Sequence, residues 1–204
     1  GSNKITALAP GQFPSPQLNA AQLEKITQLS RASNQPVSYI NNLTTVPYQH
    51  GAESMRFSTT YQYYAQTPQQ LQKWTQAASY KALFPKQIKN ITTTALQNKS
   101  QNADFKISVG LGVISIPFDF KMHFNYPNAT ENAFNANGGD IKYIKGQMLF
   151  NAQSQGSLLK MTSAMKIDES APFLLRSMRS LPYHDVLPAV AGNAVFAQKI
   201  RTAK

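Results

Sequence analysis

The 204-residue sequence has no cysteine, so disulfides and thiolate metal sites are both excluded. It has no apolar run of the roughly 18 residues that a membrane-crossing helix needs. The nearest stretches, 107–118 and 186–197, are interrupted by Ser, Gly, Pro or Asn, and a soluble protein is expected. Acidic residues are few: 9 Asp+Glu stand against 20 Lys+Arg, a net charge of +11. Such an excess attracts phosphate groups, whether of nucleic acid or of anionic lipid. The basic residues are nevertheless spread from Lys4 to Lys204 with no three in a row, the pattern of a solvated surface rather than of a nucleic-acid reading head.

Chemistry-bearing motifs are scarce too. The three histidines, His50, His123 and His184, lie in no recognisable nucleophile or zinc signature, and no three potential ligands share a useful spacing. His184-Asp185 is the one adjacent imidazole and carboxylate pair, and helix capping accounts for it. Gly110-Leu111-Gly112 lacks the third glycine and the following helix of a dinucleotide site. No catalytic residue, metal or cofactor is therefore assigned.

What is present is enough to build a core: 42% of residues are hydrophobic. Asn and Gln together number 34, a composition associated with periplasmic and secreted proteins. The opening Gly1-Ser2 reads as the scar of a cleaved tag, behind which a signal peptide would be invisible.

Residues 3–16 form a Pro-rich lead-in, followed by a helix over 17–32 and a short strand over 37–40. This first part, 1–52, reads as an N-terminal extension and 53–204 as the main domain. Residues 57–64 favour a strand, and Thr67-Pro68-Gln69-Gln70 supplies a capping box with proline at the first helical position, opening a helix over 68–80.

The clearest signal lies further on. Ile116, Phe118, Phe120, Met122, Phe124 and Tyr126 alternate strictly with polar residues, as do Phe105, Ile107, Val109, Leu111 and Val113 before them, and the two runs are expected to pair antiparallel. Pro117 suggests an edge position or a strand start. Turns at 137–140 and 155–157 bracket strands over 141–153, with Ile144, Met148 and Phe150 on one face, and over 158–167, with Leu159, Met161 and Met165. A helical region opened by Pro172 and a last helix over 187–202 complete the chain. The fold expected is α+β, a curved antiparallel β-sheet of five or six strands gripping a long C-terminal helix.

Several of these residues resemble the START-like, or helix-grip, superfamily of polyketide cyclases, coenzyme Q-binding proteins and plant pathogenesis-related ligand binders. The resemblance spans 55–201 and is carried by the run from Thr67-Pro68 to Trp74, by Leu83-Phe84-Pro85, by Ile144 to Phe150 and by the closing helix. Ala77-Ala78-Ser79 stands where members with a well-formed signature carry an acidic residue. The resemblance implies a hydrophobic cavity between sheet and helix.

The expected function is non-catalytic binding or transport of a hydrophobic small molecule or lipid. The candidate wall residues are Trp74, Phe118, Phe120, Met122, Phe124, Met148, Phe150, Met161, Met165, Phe173 and Met178. Methionine suits a wall that adapts to an apolar guest. Arg176 and Arg179, three residues apart, are candidates to meet an anionic head group, and the net positive charge favours transient contact with an anionic membrane surface. The alternatives are a polyketide cyclase or aromatase using the same cavity, and a basic module binding nucleic acid.

Overall fold

The computed structural model describes residues 13–48, 51–111, 113–136, 141–167 and 187–203. Among them run α1 (Ala20–Ser33), β1 (Val37–Tyr48), β2 (Gly51–Tyr64), α2 (Pro68–Leu71), α3 (Tyr80–Leu83), β3 (Ile88–Ala95), β4 (Ser100–Leu111), β5 (Ile114–Asn128), β6 (Glu131–Ala136), β7 (Ile141–Ala152), β8 (Ser157–Ile167) and α4 (Leu187–Thr202). The strands form one antiparallel sheet of eight in the order β1-β2-β8-β7-β6-β5-β4-β3. The architecture is thus the expected α+β one, with α4 against one face of the sheet and α1 against the other. The turn at 137–140 and the helical region after Pro172 fall outside the described residues.

Two strands exceed the five or six read from the sequence. β3 carries a run of threonines along an exposed edge, and β6 is short and holds Asn132 and Asn135, so neither alternates cleanly. β1 also continues past residue 40 to Tyr48, through a register shift between Ile40 and Leu43. Pro117 lies in an interior strand, but the proline rule is still met: among the described residues β6 pairs β5 over 122–128, and the ladder partner of Pro117 is Ser108 of β4.

The helix expected over 68–80 begins as read. Thr67 Oγ1 accepts from the Gln70 amide at 3.2 Å, and Gln70 Oε1 accepts from the Thr67 amide at 2.9 Å. After one turn it gives way to 3₁₀ turns at Gln72–Thr75 and Ala77–Ser79, separated by an extended Gln76. The buried residues explain the change: Leu71, Trp74, Ala77, Tyr80 and Leu83 recur every three positions, the period of a 3₁₀ helix and not of an α-helix.

Both faces of the sheet are covered near β2. Ser58, Thr60, Gln62 and Tyr64 have the parity that faces α4, while Met55, Phe57 and Tyr61 face the opposite way and are buried there. Phe13 packs edge-on to Phe57, and Ile26 of α1 joins Tyr61 and Leu158. Ser30 pins α1 by accepting from the Tyr63 amide and donating to Gln35 O. Lys145 lies on this same convex face, fully buried and with no hydrogen-bond partner among the described residues. Burial pushes its amine down to about 8.

Candidate functional site

The concave face of the sheet carries the main core, and part of that core is hollow. A cavity of about 330 Å³ lies between the sheet and the N-terminal half of α4. Its size and apolar lining are those of a small-molecule pocket. β4 and β5 contribute Phe105, Ile107, Phe120, Met122 and Phe124; β6 and β7 contribute Phe134 and Ile144; β8 contributes Met161, Ser163 and Met165. Tyr80, Phe84, Gln87 and Ile88 close one side, and α4 closes the top with Pro188, Ala189, Gly192, Asn193 and Phe196. Gln87 and Gly192 are exposed, which puts the mouth between the connection before β3 and the start of α4.

The space exists because of which residues α4 presents. Ala189 and Gly192 are small, and a Cβ on Gly192 would meet nothing within 4 Å. One turn later Phe196 fills the gap, meeting Tyr80 edge-on at 4.9 Å between ring centroids. On the sheet side, Phe134 lies over Gly146, its register partner on β7, so closely that a Cβ at Gly146 would fall within the ring. Phe105 and Phe120 stack at 5.0 Å and form another part of the wall.

Polar atoms are few and committed. Ser163 Oγ donates to Asn193 Oδ1 at 2.6 Å, and Asn193 Nδ2 donates to Ser58 O at 3.1 Å and to Met161 O at 3.4 Å. These bonds tie α4 to β2 and β8 at the inner end of the cavity. Tyr80 turns its hydroxyl away from the cavity, accepting from Asn132 Nδ2 at 3.1 Å, and burial pushes its phenol far up. No Asp, Glu, His, Lys or Arg lines the cavity among the described residues, and none of them form a cluster able to hold a metal ion.

Of the eleven wall residues named from the sequence, Phe120, Met122, Phe124, Met161 and Met165 lie on the cavity. Phe118, Met148 and Phe150 share their face and are buried in the same core but do not line this cavity. Trp74 is buried there as well, with Lys73 Nζ 4.7 Å from its ring centroid. Phe173 and Met178, together with Arg176 and Arg179, lie outside the described residues. Sequence reasoning missed Tyr80, Phe84, Phe134 and Phe196 as wall residues. The three-residue period flags Tyr80, whereas Phe134 and Phe196 have no comparable signal.

No family model and no curated protein matches the chain. Solved structures do. TTHA0849 from Thermus thermophilus superposes with a TM-score of 0.52 at 14% identity, over 70% of this chain and 94% of that one. The Zhui aromatase/cyclase from a Streptomyces species gives 0.52 at 12% identity, over 72% of this chain and 94% of that one. The di-domain aromatase/cyclase StfQ of steffimycin biosynthesis gives 0.51 at 7% identity, over 86% of this chain. This chain spans about half of StfQ, covering 53% of it. The likeness is one of fold: a curved antiparallel sheet gripping a long C-terminal helix.

Proposed function

We propose that the protein binds a hydrophobic small molecule in the cavity beneath α4 and does no chemistry on it. One observation carries the reading: a cavity of about 330 Å³ whose described wall is aromatic and aliphatic, broken only by Ser163, Asn193 and the rim residue Gln87. Apolar walls that stand apart forgo dispersion contacts, and a guest restores them. A cyclase would need an acid or base at its substrate. The one titratable side chain on the described wall is Tyr80, and its hydroxyl is held by Asn132.

Among the described residues, no helix is long and apolar enough to cross a membrane. Transient contact with an anionic bilayer, favoured by the net charge of +11, belongs to the same proposal, as does a periplasmic or secreted location, which rests on the Asn- and Gln-rich surface alone. Native mass spectrometry of protein purified without detergent, followed by titration with biphenyl, tests the binding reading. We expect a bound adduct or saturable uptake at one equivalent. Neither adduct nor uptake, with the fold intact by circular dichroism, would overturn it.

A further inference from the structure

The cavity has a size, a wall chemistry and one polar point, and together they narrow the guest beyond a generic hydrophobic molecule. A cavity of ~150 Å³ holds benzene, or roughly 25 Å³ per heavy atom, so 330 Å³ takes about 13 heavy atoms. Seven of the residues around it are aromatic: Tyr80, Phe84, Phe105, Phe120, Phe124, Phe134 and Phe196. Such walls offer ring faces and edges to another ring.

The polar point has a fixed sense. Asn193 Nδ2 faces two carbonyl oxygens, Ser58 O and Met161 O, which sets the amide so that Oδ1 faces Ser163. Ser163 must then spend its proton on Asn193 Oδ1, and what its Oγ has left to offer is lone pairs. The Ser163 hydroxyl is thus an acceptor toward the cavity. Beside it, opposite in the ladder and off the described cavity wall, Ser58 Oγ is fully buried and has no partner among the described residues. A guest that brings a hydroxyl to this end is satisfied, whereas one that brings a carbonyl, an ether oxygen or a carboxylate sets acceptor against acceptor. A carboxylate would in addition bury its charge with no cation on the described wall.

Resting on the binding reading above, we propose that the cavity selects an uncharged, ring-bearing molecule of about 13 heavy atoms with a hydroxyl that donates to Ser163 Oγ, a phenol or a cyclic alcohol.

The test is a matched series titrated by calorimetry: 4-hydroxybiphenyl, biphenyl, 4-methoxybiphenyl and biphenyl-4-carboxylate, against the wild-type protein and Ser163→Ala. In the wild type, 4-hydroxybiphenyl should bind about tenfold more tightly than biphenyl or the methyl ether, the scale of one net hydrogen bond, and the carboxylate should not bind. In Ser163→Ala the preference should vanish while biphenyl binds as before, which also shows that the cavity is intact. Should that variant fail to fold, the ranking of hydroxyl over methyl ether in the wild type decides alone. Equal affinity for the three neutral compounds, or uptake of the carboxylate, would overturn the hydroxyl selection and leave the binding reading standing. If biphenyl and its neutral derivatives all fail to bind, the binding reading falls and the selection with it.

Discussion

One helix meets the sheet in two ways. Along its side toward β2, α4 is sealed: Tyr64 donates to Ala197 O at 2.7 Å, Gln198 Nε2 donates to Gln62 Oε1 at 2.9 Å, and Asn193 closes the seam against Ser58 and, at the border with the cavity, Ser163 of β8. Over β4, β5 and β6 the same helix stands off, and aromatic side chains line a space that none of them fills. The sheet is continuous through both regions, so the difference lies in side chains. A polar inner face on β2 draws the helix down by hydrogen bonds, and small residues at 189 and 192 leave room beside it. A cavity kept open costs dispersion contacts. The sealed half supplies the rigidity that keeps the helix from collapsing into it.

The comparison breaks most sharply at Gly146, in the hollow half. A methyl there would occupy the position of the Phe134 ring. Phe134 must then swing into the cavity or push β6 away from β7. Overpacking and a displaced core ring should cost about 2–4 kcal/mol in Gly146→Ala, read as a lower urea midpoint, together with lost biphenyl uptake. An unchanged midpoint would mean that Phe134 does not shape the wall.

Next in size is Asn193→Ala, at the border between the two halves. It leaves Ser163 Oγ without its acceptor and takes one donor from the carbonyls of Ser58 and Met161. Stranding buried polar groups in this way should cost about 2 kcal/mol in chemical denaturation. A loss under a few tenths would show that the seam is not what holds α4 down.

Tyr64→Phe removes one seam hydrogen bond and should cost about 1 kcal/mol at neutral pH. Its pH dependence sharpens the assignment. Burial pushes the Tyr64 phenol well above its usual value, so above about pH 10 the unfolded chain releases a proton that the folded protein retains. The stabilisation is present below pH 10 and is lost as pH rises through the folded value. The wild type should therefore lose stability above pH 10 more steeply than Tyr64→Phe, and parallel curves would remove Tyr64 from the account.

These two regions were unequally legible from the sequence. Alternation over 116–126 gives the face of β5, and the closing helix has the bounds read for it. Parity assigns a residue to a face but not to a place along it, which is why Phe118 and Met148 lie away from this cavity while Phe120 and Met161, on the same face, border it. The three-residue period through Leu71, Trp74, Ala77, Tyr80 and Leu83 was readable as a 3₁₀ path, but the capping box before it favours an α-helix. β3 was hidden because an exposed edge strand needs few apolar residues. β6 was hidden because Asn132 is buried through hydrogen bonds to Thr75 O and Tyr80 rather than through hydrophobicity. The seam was the least legible part, since Ser, Thr, Asn and Gln look alike on a wet surface and in a buried hydrogen-bonded one.

The smallest effect is also the one with the unusual sign. Gly192 lies within α4 over the hollow half, and a Cβ there meets no atom within 4 Å. Glycine is a poor helix former because its backbone loses more freedom on folding, so Gly192→Ala should stabilise the protein by about 0.5–1 kcal/mol and raise Tm accordingly. Because the methyl enters open space, biphenyl should still bind. If Gly192→Ala instead lowers Tm, α4 lies closer to the sheet than the cavity requires, and the two halves of its interface are not different after all.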